Sequence, residues 1–247
     1  MRTAVVSDIH GNLTALEAVI ADLKKTAPDS VSQGGDLPAG GWRPAEVVDR
    51  IRELGWPGVL GNTDEMLWAP GRQAELEKKA PHLRSLFEFV FQSIVPWTRE
   101  RLGNERIAWL RSLPEEQREE SFLLLHASPQ DLWHAPLKTS TDEEFTATYG
   151  GLGAATVIYG HIHTPFVRRL PGLTVANAGS VSLSYDGDPR ASYLVLEGGG
   201  VTSRRVEYDV EREVRGLKES GYPLADWHGE ILRKAKYVPM PDPPRCG

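Results

Sequence analysis

Thr3-Ala4-Val5-Val6-Ser7-Asp8-Ile9-His10-Gly11-Asn12 begins as a short apolar run and stops in a polar cluster. Residues 3–6 read as a buried strand. Leu13, Leu16, Val19, Ile20 and Leu23 then recur at helical spacing, with Asn12 placed as N-cap. Strand, polar loop and helix in that order is the opening of an α/β protein.

The same punctuation returns four times. Residues 30–33 run into Gly34-Gly35-Asp36. Gly58-Val59-Leu60, read as a short strand, runs into Gly61-Asn62-Thr63-Asp64. Residues 122–125 end at His126, and residues 156–159 end at Gly160-His161-Ile162-His163. In α/β sheets, sites form beyond the carboxyl ends of strands, so five such ends can bring distant residues into one crevice. The side chains collected there are carboxylate, imidazole and amide, and none is a thiolate. That set suits Mn²⁺, Fe, Zn²⁺ or Co²⁺ better than a structural cysteine-rich zinc site. Each piece alone is weak, because Asp-x-His and Gly-Asp are common in turns. Gly-His-x-His after a strand is more specific, and all five in this order are hard to attribute to turn composition.

Between these motifs, Pro44 and Gly55 bracket a helix with Val47, Val48, Ile51 and Leu54 as its apolar stripe. Residues 65–118 carry helical patterns and no strand signal, and are expected to form a helical insertion over the sheet edge. Thr141-Asp142-Glu143-Glu144 matches a capping box. Residues 167–170, 173–176, 192–196 and 201–208 read as further strands, and about 209–236 return to helix. The expectation is one domain over residues 1–247, ending in a loosely held proline-rich tail.

The bulk numbers narrow the function classes. The chain has 247 residues, a net charge of −6, 40% hydrophobic and 25% charged residues, and one cysteine, Cys246. Such a composition excludes global disorder. No basic domain marks a nucleic-acid binder, and no apolar run is long enough to span a membrane. The N-terminus lacks a signal-peptide pattern, so a cytoplasmic location is expected. An acidic protein acting on an anion needs a local source of positive charge, which bound metal ions supply.

The order D-x-H, G-D, G-N-x-[DE], H, G-H-x-H resembles the calcineurin-like metallophosphoesterases, over the chain to about residue 197. Gly179-Ser180-Val181 and Asp186-Gly187-Asp188-Pro189-Arg190-Ala191-Ser192-Tyr193 are similar to the small single-domain bacterial branch, where phosphodiesterases are found. The resemblance implies a two-sheet α/β sandwich in four layers and two divalent metal ions, manganese first, with iron, zinc, cobalt or nickel as alternatives. It implies Asp8, His10 and His163 on one ion, Asn62, His126 and His161 on the other, and Asp36 bridging both. Two cations about 3.5–4 Å apart repel strongly and need an anionic bridge. Bridging hydroxide would then attack phosphorus. The substrate implied is a phosphorylated small molecule or nucleotide, with diesters ahead of monoesters.

Asn62, Asp64 and His161 are the expected catalytic set, and Asn12, Arg190 and His134 the expected substrate contacts. Duller roles compete: helix capping for Asn12, a turn cap for Asp64, an ion pair for Arg190 and a loop position for His134. His82 and His228 are expected on the surface. Many family members carry histidine where this chain has Thr63, whose hydroxyl is a poor general acid. A preference for good leaving groups follows. Asn177-Ala178-Gly179-Ser180 stands where Asn-Pro-Gly-Ser is usual. Rival readings are a phosphoprotein phosphatase, a nucleotide-polyphosphate hydrolase, and a non-catalytic scaffold of the same fold.

Overall fold

A computed structural model describes residues 1–241; Cys246 and the end of the proline-rich tail lie outside the described residues. The elements run β1 (Arg2–Val6), α1 (Leu13–Thr26), β2 (Ser30–Gln33), α2 (Pro44–Leu54) and α3 (Asn62–Glu65). Then come α4 (Arg72–Lys79), α5 (Arg84–Phe89), a π-helical turn (Val90–Ile94) and α6 (Val95–Arg111). β3 (Glu116–Arg118), β4 (Leu123–Leu125), α7 (Asp142–Tyr149), β5 (Thr156–Tyr159), β6 (Phe166–Leu170) and β7 (Leu173–Asn177) follow. The chain closes with β8 (Ala191–Glu197), β9 (Gly200–Val206), α8 (Val210–Glu219) and α9 (Ala225–Lys234).

Two mixed sheets result, in the orders β2-β1-β8-β9 and β3-β4-β5-β7-β6. Strand alternation builds the layers. Along β1, Ala4 and Val6 face the helices α1, α2 and α6, whereas Val5 faces the second sheet. β8 repeats this with Tyr193 outward and Leu194 and Leu196 inward. In the second sheet Leu124, Ile158 and Ala176 meet the first sheet, while Leu123, Val157 and Val175 turn toward Phe145 and Tyr149 of α7. A period of two buries both faces of each central strand. The product is helix, sheet, sheet, helix: the four-layer sandwich that the resemblance implies.

β1 and β2 are parallel, as are β4 and β5. Their carboxyl ends therefore lie on one edge, where the polar clusters begin. Asn12 caps α1 through the Ala15 N–H, and the capping box of Thr141 opens α7.

Three expectations change. Gly58-Val59-Leu60 is not a strand: only Gly58 bridges Gln33, and the Gln33 side chain donates to the Val59 carbonyl in place of a ladder bond. The stretch 65–118 does hold a strand, β3, on the edge of the second sheet beside β4. Its residues, Glu116-Gln117-Arg118, show no apolar alternation because an edge strand is free to be charged. His228 is buried, 6% exposed, against Tyr222 and Trp227, because α8 and α9 pack together and enclose it. His82 is exposed as expected. No helix among the described residues is long and apolar enough to cross a membrane.

Candidate metal centre

The strand ends hold their side chains by departing from strand geometry. Asp8, His10, Asp36, His161 and His163 all take positive φ, between 51° and 65°. They are five of the nine non-glycine residues with positive φ among the described residues. Each such residue costs about 1–3 kcal/mol, so the surrounding structure must enforce it, and such strain concentrates at functional sites. Glycine permits the close approach. A Cβ on Gly160 would strike Ser7 Oγ and the Asp8 carboxylate, and one on Gly61 would strike Asp36.

Hydrogen bonds within the second sheet and across to Asp8 of the first fix the edge. His161 N–H donates to the Asp8 carboxylate at 3.1 Å, and Gly160 N–H donates to the His126 carbonyl at 2.9 Å. Ser180 Oγ donates to the Asp8 carbonyl at 2.7 Å. Asn177 Nδ2 donates to the Gly160 carbonyl at 2.5 Å. Asn177 and Ser180 are fully buried and hold the two motifs in place.

Six of the seven predicted ligands are buried and His161 is half-buried. Ligand atoms of Asp8, His10, Asp36 and His163 all lie within 4.8 Å of one another. His163 Nε2 is 3.0 Å from Asp8 Oδ1 and 3.1 Å from His10 Nε2. A second group adjoins: Asn62 Oδ1 lies 2.8 Å from His126 Nε2 and 2.9 Å from His161 Nδ1. Asp36 stands between the groups, with Oδ2 3.7 Å from His10 Nε2 and Oδ1 3.5 Å from His126 Nε2.

All four histidines are tied on their outer nitrogen by a main-chain carbonyl. His10 Nδ1 meets Ala39 O at 2.6 Å, His126 Nδ1 meets Gly34 O at 2.7 Å, and His163 Nδ1 meets Leu183 O at 2.7 Å. His161 is reversed: its Nε2 meets Trp133 O at 3.1 Å. A carbonyl only accepts, so each of these nitrogens carries a proton, and in a neutral ring the inner nitrogen presents a lone pair. With neutral rings, His10 and His163 aim lone pairs at each other across 3.1 Å, and Asn62 Oδ1 faces that of His161. That arrangement repels unless a proton or a metal cation sits among the donors. The donor set, its burial and these facing lone pairs fit divalent metal ions.

Charge follows the same layout. Burial pushes Asp8 up, but His163, His126 and His10 outweigh it and hold the carboxyl well below the usual carboxylate range. Burial lowers His10, against Asp36 and Asp8. Burial and then His126 bring His161 down to about 4. His126 moves the other way, because Asp36 and Asp8 overcome its burial. Asp64 is pushed up to about 7 by burial and then by Asp36.

The other predicted site residues lie outside the two donor groups. Asp64 accepts main-chain N–H groups from Gly61, Asp36 and Leu37 at 2.8–3.0 Å, so it shapes the loops that carry Asp36 and Asn62. Asn12 caps α1 and donates to Ser182 Oγ. Arg190 makes its side-chain bonds to Asp188 and none to the seven residues. His134 is exposed, pairs with Asp131 at 2.8 Å, and borders an open cavity of about 410 Å³. Thr63 N–H donates to Asp36 Oδ1 at 2.8 Å, while its buried hydroxyl has no partner. Sequence reading missed the carbonyls of Gly34, Ala39, Trp133 and Leu183, because a carbonyl leaves no trace in residue type. It also missed Asn177 and Ser180 as struts, although their motif was in view.

Comparison with known proteins agrees with this geometry. Residues 1–199 match the family model described as the calcineurin-like phosphoesterase superfamily domain. The chain is 29% identical over 252 residues to the uncharacterized protein MJ0912 of Methanocaldococcus jannaschii, covering 93% of this chain and 96% of that protein. It is 25% identical over 211 residues to the phosphodiesterase YfcE of Escherichia coli, covering 80% and 88%. A metallophosphoesterase from Sphaerobacter thermophilus superposes with a TM-score of 0.77 at 26% identity, over 95% of this chain and 100% of that one. The hypothetical protein PH1004 of Pyrococcus horikoshii shares the fold, with a TM-score of 0.82 at 19% identity over 96% and 99%. The chain thus belongs to the calcineurin-like phosphoesterase superfamily, hydrolases that act on phosphoester bonds.

Proposed function

We propose that the protein is a dinuclear metal-dependent phosphodiesterase. The facing lone pairs of His10 and His163, with the Asp36 carboxylate between two donor groups, carry this reading. Asp8, His10 and His163 would hold one ion, Asn62, His126 and His161 the other, and Asp36 would serve both. When bound, such ions act as Lewis acids that acidify water and offset charge developing on the phosphoryl oxygens. The chain's own part is to fix the donors: main-chain carbonyls set each imidazole tautomer, and Asp64 sets the path of the Asp36 loop. Residues 1–247 act as one domain on this reading. Its support is that Leu102, Ile107 and Leu110 of α6 share a core with Val47, Val48 and Ile51 of α2.

Diesters rank first on charge. A diester bears one negative charge, fewer than a monoester or a polyphosphate at neutral pH, and needs less added positive charge. The main charge interactions of Asp8, His10, His126 and His161 come from Asp and His groups alone. Arg43, Arg72 and Arg190 are each paired with a carboxylate: Glu213, Glu65 and Asp188. Thr63 offers no efficient proton donor, so activated leaving groups are preferred.

The test is hydrolysis of bis(p-nitrophenyl) phosphate against p-nitrophenyl phosphate with Mn²⁺, a phosphopeptide and a dinucleoside polyphosphate in parallel, and Asp36→Asn as control. A diester preference lost in the control supports the proposal. Turnover of the phosphopeptide or the anhydride alone would replace it, and inactivity with bound metal would favour a scaffold.

A further inference from the structure

His161 differs from the other three histidines in which nitrogen it turns inward, and the cause is Trp133. The Trp133 carbonyl receives the His161 Nε2–H at 3.1 Å, which leaves Nδ1 facing Asn62. The carbonyl itself sits just beyond a turn closed by reciprocal bonds between Ser128 and Asp131. Trp133 N–H donates to Asp131 Oδ1 at 2.8 Å, and its indole Nε1–H donates to Glu65 Oε2 at 2.8 Å. Glu65 is gripped by Arg72, from Nη2 at 2.8 Å and Nε at 3.1 Å. The ring packs on a cluster of Met66, Leu76, Phe91 and Val95 from the inserted helices. A continuous path therefore runs from α4 through Arg72, Glu65 and Trp133 to one imidazole.

We propose that Trp133 is a positioning residue for His161, anchored by Glu65 and Arg72, and that the helical insertion thereby sets the affinity of one half of the metal centre. The insertion does this without contributing a ligand. Partners that orient a ligating imidazole typically govern metal affinity by about 10–100-fold. The proposal rests on the metal-centre reading for the binding effect, and on the protein alone for the tautomer.

Two variants cut the anchor and leave the carbonyl in the chain. Trp133→Phe keeps an aromatic ring in the cluster but removes the indole donor; Glu65→Ala removes the acceptor. The metal-free protein is examined by ¹⁵N-detected histidine spectra, and then Zn²⁺ is titrated by calorimetry and by the same spectra. In the unsubstituted protein His161 is expected to carry its proton on Nε2. Both variants are expected to show mixed tautomers at His161 and about tenfold weaker Zn²⁺ binding in the event that shifts His161. The event that shifts His163 should be unchanged. An unchanged His161 tautomer in both variants, or equal weakening of both events, overturns the proposal. If the unsubstituted protein binds no Zn²⁺, the metal-centre reading fails, and the tautomer of the metal-free protein still decides the role of Trp133.

Discussion

Asp64 Oδ2 accepts the main-chain N–H of Asp36 at 3.0 Å, and its other oxygen accepts that of Leu37 at the same distance. Gly61 N–H joins at 2.8 Å. One fully buried carboxylate thus holds two loops that carry predicted metal ligands. Asp64→Asn keeps the shape but turns an amide N–H₂ toward donors. We expect a loss of about 2–4 kcal/mol, since buried main-chain donors are left without acceptors. Urea unfolding checks it; a change under about 0.5 kcal/mol would mean that the clamp contributes little.

Gly160→Ala places a methyl group against Ser7 Oγ and the Asp8 carboxylate. Something must shift, and the groups struck belong to two buried side chains, Ser7 and Asp8. Overpacking of this kind costs about 1–3 kcal/mol. Because Asp8 moves, Mn²⁺ affinity is expected to fall at least about tenfold. Calorimetry on the folded variant reads this directly; native affinity would show that Asp8 is not a ligand.

Metal binding should release protons near neutral pH. His126 is raised above its ordinary imidazole value, because Asp36 and Asp8 outweigh its burial, whereas burial lowers His10 and brings His161 down to about 4. A metal requires the unprotonated ring. Affinity should therefore rise with pH as His126 loses its proton, with proton release accompanying binding. Titrations in buffers of different ionisation enthalpy measure that proton, and a pH-independent affinity between pH 6 and 8 would contradict it.

His228 predicts an acid limb in stability. Its ring is buried, and burial followed by His10 brings it down to about 3. In the unfolded chain it titrates near about 6.5. Below that value the unfolded state binds the proton more readily. The stabilisation is thus complete above about pH 6.5 and is lost as pH falls toward 3, by up to about 1.4 kcal/mol per pH unit. Metal-free His228→Phe should show a flatter profile in chemical unfolding over that window. Parallel profiles would place the titration elsewhere.

Much of the fold was legible because its cues are local. β1, α1, β2, α2, β4, α7 and β5 announce themselves by apolar period, caps and glycine stops, and each strand end announces its donors. The family order of Asp8, His10, Asp36, Asn62, His126, His161 and His163 was equally visible. β3 was not, because a charged edge strand has no periodic signature until β4 lies beside it. His228 read as surface because its enclosure comes from Tyr222 and the α8–α9 packing, which are tertiary facts.

The sequence determined by itself which donors exist and at which strand ends they stand, since residue type and short-range period are properties of the chain. Only the tertiary structure decided which nitrogen of each imidazole faces inward, because the deciding carbonyls of Ala39, Gly34, Leu183 and Trp133 come from remote loops. It also decided that Asp64 serves the backbone and that Arg190 serves Asp188. Hydrogen-bond partners are chosen by distance after folding, and residue type alone does not encode that distance.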